Sequence, residues 1–174
     1  MAIDPPGAGA PRAVDPSGIA PERMRWVKPG PGRLVGRGHT AGDLLEAYDW
    51  VVLEKRAGYL RLECGLPPQV RNPRGQLFGG FTPTYVDMVA LFTVHAGEGI
   101  GADGPPRRWL ATTNMRLDYF EPITGPTFVV ESELEKQRGR THFVLTRFFQ
   151  DDELAVLAAT TIREIPVDRG LGDA

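Results

Sequence analysis

The run "TPTYVDMVALFTVHA", Thr82 to Ala96, limits the possible folds of this chain more than any other segment. Thr82 and Pro83 suit a first helical turn, where the donor that proline lacks would have had no partner. Beyond them the helix is apolar on every side, so it must be surrounded by protein. That run holds one carboxylate, Asp87, a short way behind the pair Gly79 and Gly80. A lone acid in such a place is costly unless it is satisfied or used.

The rest of the chain supplies the surroundings. At 174 residues it is long enough for one well-cored domain and short for two. Residues 1–40 are crowded with proline and glycine and read as an extended arm, with Met24 and Trp26 available to wrap a neighbour. The domain proper is expected over 41–166, and 167–174 form a tail. In "DLLEAYDWVVLEKRAG", Asp43 and Glu46 have capping-box spacing and Leu44, Leu45, Tyr48, Val51 and Val52 form a helical stripe. Lys55, Arg56 and Gly58 make the stop signal, so an N-terminal helix is predicted there.

"YLRLECGLP" is a short strand candidate. Four more follow the central helix: "RRWLATTNMRLDYFEP", "TFVVESELEKQ", "RTHFVLTRFFQ" and "LAVLAATTIREIPV". The second of these four alternates, with Phe128, Val130 and Leu134 on one face and Glu131, Glu133 and Glu135 on the other. "QRGR" and "QDDE" are compact hairpin links. The expected fold is α+β, an antiparallel sheet curled round one buried helix.

Composition excludes several functions. The formal net charge is -2 and the basic residues are scattered, so nucleic acid is not an expected partner. No window has the apolar length of a membrane span and no basic leader precedes an apolar run, which predicts a soluble, cytoplasmic protein without a membrane partner. Cys64 is the single cysteine, in a strand candidate, and reads as a small buried thiol. No His/Cys/Asp cluster has metal-ligand spacing, and neither a P-loop nor a Gly-x-Ser-x-Gly elbow is present. His39, His95 and His142 stand apart and read as structural or solvated.

What remains is "FGG" at a helix entry followed by Asp87. Unpaired backbone N–H groups at a helix start can approach an oxyanion closely where no side chain intervenes, which suits Gly79 and Gly80. Asp87 keeps company with Thr84, Ala90 and Leu91 by helical spacing, an environment suited to a base or nucleophile. The amide of Asn72 could hold the same carbonyl. A polarised carbonyl and a carboxylate without a Ser or Cys triad suit an acyl group already electrophilic, such as a thioester.

The string "NPRGQLFGGFTPTYVD", with its spacing of Asn, Gly-Gly and Asp, resembles the signature of the hotdog-fold acyl-CoA thioesterases of the phenylacetate-pathway (PaaI-like) type. "TTNMRLDYFEP", "EKQRGRTHFV" and "AATTIREI" extend the likeness over about 44–165. The resemblance implies an acyl-CoA substrate, a homodimer or dimer of dimers with sites at the subunit interface, and no cofactor beyond the CoA of the substrate. By position, Asp87 matches the base or nucleophile, Gly79 the N–H facing the thioester oxygen, and Asn72 the assisting amide. Thr112 matches a residue that positions water. Period-two reading, however, puts Trp109, Ala111, Thr113, Met115 and Leu117 on the core face, so Thr112 and Thr113 both stand as candidates. Phe78 occupies the place where the family usually has His, and it cannot hydrogen-bond. Arg138 and Arg140 are candidates for the CoA phosphates, with ordinary turn charges the plainer reading. Tyr85, Met88, Phe92 and Phe120 either shape an acyl pocket or belong to the core.

Phe78 favours one alternative, a non-catalytic acyl-CoA-binding or regulatory protein on the same fold. A hydratase ranks behind both, for want of a His paired with an acid.

Overall fold

The computed structural model describes residues 27–96 and 109–165. Its elements are a short helix α1 (Thr40–Leu44), strands β1 (Val51–Arg56) and β2 (Tyr59–Gly65), the long helix α2 (Thr82–His95), and strands β3 (Trp109–Tyr119), β4 (Thr127–Arg138), β5 (Thr141–Gln150) and β6 (Glu153–Ile165). The strands form one antiparallel sheet in the order β1-β2-β4-β5-β6-β3. The sheet packs one face against α2, the expected helix within a curled sheet, which is the hotdog fold.

The alternation of the strands decides which face meets the helix. Leu60, Leu62, Cys64, Phe128, Val130, Val144, Phe148, Ala158 and Ile162 are buried on that face. On the other, Glu131 and Glu135 approach Arg147 at 3.7 and 3.8 Å, and Glu133 lies 3.9 Å from Arg56. The core is centred on aromatic rings. Trp50 stacks on Tyr85 with centroids 5.3 Å apart, Tyr85 meets Phe128 edge-on, and Phe128 stacks on Phe148 at 5.7 Å. Tyr85 and Met88 are therefore core, and Phe92 packs on the same cluster. Ser132 and Thr146, directly opposite across two strands, satisfy each other's buried hydroxyls at 3.0 Å. The hairpin links fall where expected: Gly139 has φ +57° and Asp151 and Asp152 have φ 51° and 65°, the conformations that tight two-residue hairpins need.

The N-terminal helix is much shorter than the stripe suggested. Only Thr40–Leu44 is helical, capped by His39, whose Nδ1 accepts from the Gly42 N–H at 2.9 Å. Asp43 is not the cap; its carboxylate accepts from the N–H of Gly38. Glu46 adopts φ 52°, which breaks the helix, and after a turn of 3-10 helix at Ala47–Asp49 the chain enters β1. Lys55, Arg56 and Gly58 form a hairpin and not a helix stop: Arg56 pairs with Tyr59, and Gly58 has φ +68°. A Gly after basic residues serves either purpose, and the β-branched pair Val51–Val52 favours the strand.

Residues 27–39, read as the end of an arm, lie against this edge of the sheet. Leu34 and Val35 are buried in the core cluster, and Val52 donates to the Gly32 carbonyl at 2.9 Å. The earlier arm residues, Met24 and Trp26 among them, and the tail 167–174 are outside the described residues.

Candidate active site

The entry to α2 is built by a β-turn. Phe81 N–H donates to the Phe78 carbonyl at 2.8 Å, so Gly79 and Gly80 are its two central residues. The turn is fastened from behind, since Leu77 donates to Ile123 at 2.8 Å and Phe78 to Val70 at 2.9 Å. Both glycines are exposed, and among the described residues no backbone acceptor takes their N–H groups. Phe78 projects beside them, half-exposed and edge-on to Phe81 at 5.9 Å.

Asp87 lies further along α2. Eight of the fourteen residues of α2 are buried; Thr84, Asp87 and Leu91, one stripe by helical spacing, are among the six that are only half-buried. The enclosure expected on all sides is thus incomplete on the side that carries the acid. Thr112 Oγ1 donates to Asp87 Oδ1 at 2.5 Å. Thr113 instead points away from the helix, its hydroxyl donating to the Thr161 carbonyl at 3.1 Å. The pairing of β3 with β6 explains this: Thr112 faces Ile162 and Asn114 faces Thr161, so Thr113 is the extra residue of a β-bulge. The helix-facing set changes from Leu110 and Thr112 before it to Met115 and Leu117 after it. Strict period-two reading across the bulge put Thr113 on the wrong face, together with Trp109, which is 59% exposed.

Asn72 is engaged within its own loop. Its Oδ1 accepts from Arg74 and Gln76 N–H groups at 2.9 and 3.1 Å, and its Nδ2 donates to Gln76 Oε1 at 3.2 Å. These bonds shape the 72–76 loop, which borders a surface cavity of about 290 Å³. Gln76, Leu77, Gly79, Tyr119, Phe120 and Ile123 are among its lining residues. Gln76 and Tyr119 were not singled out in the sequence. Tyr119 Oη donates to the Gly79 carbonyl at 2.9 Å, a contact between residues 40 apart that no local pattern signals.

Arg138 and Arg140 are exposed at the β4–β5 hairpin. The neighbouring row runs Gln137, His142, Ile162, Thr112 across four strands. That sets the hairpin on the order of 14 Å from Thr112 across the sheet. Within one chain the arginines do not reach Asp87. His142 is buried with Nε2 3.1 Å from Glu164, a structural placement, and His95 ends α2 as expected. Burial pushes the Cys64 thiol and the Tyr85 phenol well up, so neither supplies an anion. Among the described residues no group of three or more His, Cys, Asp or Glu could hold a metal ion, and no helix is long and apolar enough to cross a membrane.

Residues 74–156 match the family model described as "Thioesterase superfamily". No curated protein sequence matches the chain. Solved structures share the fold. A phenylacetic acid degradation-related protein from Ralstonia eutropha is 23% identical, with TM-score 0.59 over 72% of this chain and 89% of that one. A thioesterase from Haemophilus influenzae is 10% identical, with TM-score 0.61 over 75% and 86%. A Streptococcus pneumoniae thioesterase protein, solved with coenzyme A, is 16% identical, with TM-score 0.57 over 67% and 86%. Residues 74–156, the stretch similar to the thioesterase-superfamily model, carry the glycine turn, α2 with Asp87, and strands β3 to β5, and the fold they share with these solved structures is the hotdog fold.

Proposed function

We propose that this protein is an acyl-CoA thioesterase in which Asp87 is the base or nucleophile and the Gly79–Gly80 turn polarises the thioester carbonyl. The observation that carries the reading is the placement of two half-sites along one open sheet edge. Strand β3 ends the sheet. Near its start Thr112 holds Asp87; at its end Tyr119 holds Gly79.

The two half-sites are too far apart to act on one carbonyl within a single chain. Gly79 and Asp87 are eight residues apart, on the order of 12 Å at helical rise. Antiparallel pairing of β3 with a second copy of itself, centred between Met115 and Arg116, sets Thr112 of each copy opposite Tyr119 of the other. Asp87 of one chain then faces the glycine turn of the other, and a twofold homodimer holds two complete sites. Such pairing also satisfies the unpaired backbone groups of a long edge strand.

In the hydrolysis, Asp87 takes a proton from water as the water oxygen adds to the thioester carbon. The oxyanion is met by the turn's N–H groups, the C–S bond breaks, and the CoA thiolate leaves and takes up the proton. Direct attack by Asp87 gives a mixed anhydride that water then opens. CoA enters as part of the substrate, and hydrolysis by these groups calls for no further cofactor. The coenzyme A bound to the Streptococcus pneumoniae relative supports a CoA ester as substrate. Arg138 and Arg140 are the proposed partners of its phosphates, reached across the dimer. Exposed Phe78, unable to hydrogen-bond, favours the second reading, a protein that binds acyl-CoA without hydrolysing it.

Free-thiol release from acetyl-, hexanoyl-, palmitoyl- and benzoyl-CoA tests the proposal on wild type and Asp87→Asn. Turnover by wild type and its loss in a folded variant are expected. Equal rates for the two proteins would overturn the role of Asp87, and binding without release by wild type would leave the second reading.

A further inference from the structure

The bond from the Tyr119 hydroxyl to the Gly79 carbonyl marks one half-site, but the hydrolysis gives it no chemical task. It ties the last residue of the edge strand to the central peptide of the turn that opens α2. The chain on either side of Tyr119 is fixed: Asp118 and Tyr119 pair with Leu157 and Val156 of β6, and the N–H groups of Phe120 and Glu121, which follow, both donate to the Ala155 carbonyl, at 2.9 and 3.2 Å. The Phe78–Phe81 turn is equally fastened at its ends, but its middle peptide has no backbone bond among the described residues. Gly79 and Gly80, without side chains, leave that peptide free to rotate. Tyr119 is the group that stops it.

The consequence follows from peptide geometry. The carbonyl of Gly79 and the N–H of Gly80 belong to one planar trans unit and point in opposite directions. Holding the carbonyl toward the end of β3 therefore aims the Gly80 N–H the other way. A hydrogen bond accepted by the carbonyl also polarises the amide and strengthens its N–H as a donor. The ring itself touches the turn, passing 3.9 Å from where a Cβ on Gly79 would stand, and lines the cavity beside it. We propose that Tyr119 is a positioning residue that orients the Gly79–Gly80 peptide, making the Gly80 N–H a second oxyanion donor beside that of Gly79. The proposal rests on the thioesterase reading and adds to it a residue that touches no reacting atom.

Tyr119→Phe removes the hydroxyl and nothing else. Hydrolysis of the best ester of the panel should fall about 10-fold in kcat, with KM within about twofold, because one neutral hydrogen bond that matters chiefly in the transition state is lost. The melting temperature should stay put, since the hydroxyl is on an exposed side chain. A second readout needs no turnover: in the Asp87→Asn background, the carbonyl stretch of the bound thioester should lie below its solution frequency, and adding Tyr119→Phe should return part of that shift. Wild-type turnover with an unchanged kcat in Tyr119→Phe, or a change confined to KM, overturns the proposal and leaves the thioesterase reading standing. No turnover by wild type, but a bound carbonyl whose shift depends on Tyr119, overturns hydrolysis and upholds the positioning role. Neither turnover nor a Tyr119-dependent shift overturns both.

Discussion

Thr112→Val tests the Asp87 half-site most directly. Valine keeps the branched shape at a half-buried strand position and deletes only the hydroxyl that donates to Asp87 Oδ1 at 2.5 Å. A hydrogen bond to a charged acceptor contributes about 1.5–3 kcal/mol. Asp87 is only half-buried, so solvent replaces part of what is lost and the lower half of that range applies. With the bond present, one carboxylate oxygen is anchored and the other is left to meet water or the acyl carbon. Without it the carboxylate turns about its last torsion, and the productive orientation is populated less often. At about 1.4 kcal/mol per factor of ten, kcat should fall roughly 10- to 30-fold. Thr112→Ser keeps the oxygen and should remain within about threefold of wild type. The assay is free-thiol release at saturating acyl-CoA, with dimerisation checked by gel filtration because β3 is the proposed interface. Non-additivity sharpens the test: in the Asp87→Asn background, Thr112→Val should remove nothing further, since both changes disable one unit. A folded, dimeric Thr112→Val protein with wild-type kcat would refute the argument.

Two further outcomes concern the scaffold. A Cβ at Gly125 would stand 2.4 Å from the Thr127 carbonyl oxygen and 2.9 Å from the Gln150 side chain, which itself accepts from the Gly125 N–H at 3.0 Å. Gly125→Ala should therefore destabilise by about 1–3 kcal/mol, read as a lowered melting temperature; an unchanged midpoint would show that the 121–126 link yields to the added methyl. The second is a pH effect. Burial lowers the His39 pKa from its ordinary 6.5, outweighing Asp43, which raises it, so the folded state prefers the neutral ring whose Nδ1 caps α1. Because the folded value is the lower one, acidification favours the unfolded cap: the contribution is present above 6.5 and is lost as pH falls through the folded value. Protection of the Gly42 amide from hydrogen exchange, corrected for its intrinsic rate, should drop between about pH 7 and pH 5. Constant protection would remove His39 from the cap.

The parts of this fold that were legible in the sequence are those where one periodicity had no rival. The uniformly apolar run of α2 and the alternation of β4 each allow one placement. The segment around Val51 had two, because a 3.6-residue stripe and a short edge strand fit the same apolar letters. What decided between them was tertiary: the edge of β2 offered Val51–Arg56 a ladder, and Glu46 left the helical conformation. At the candidate site, the glycines and Asp87 were visible because their chemistry is local to one stretch. Asn72 has a local task that the sequence pattern does not signal, since its side chain bonds Gln76 and the loop N–H groups. Tyr119 was invisible for the complementary reason, since its partner is 40 residues away.

The bulge at Thr113 explains why both half-sites can share one face of one strand. In an unbroken ladder residues of even and odd number point to opposite faces, so Thr112 and Tyr119 could not both turn toward α2. The extra residue shifts the parity between them, and each then reaches the helix or its entry turn. Their separation along the strand, on the order of 20 Å, leaves room between them for the axis of a twofold pairing. An edge strand that carried only one of them could pair with a copy of itself and still enclose no site. With one at each end, the proposed pairing of two β3 edges would also bring the acid to the proposed oxyanion donors. Under that proposal, dimerisation and assembly of the site are one event, set by a single inserted residue.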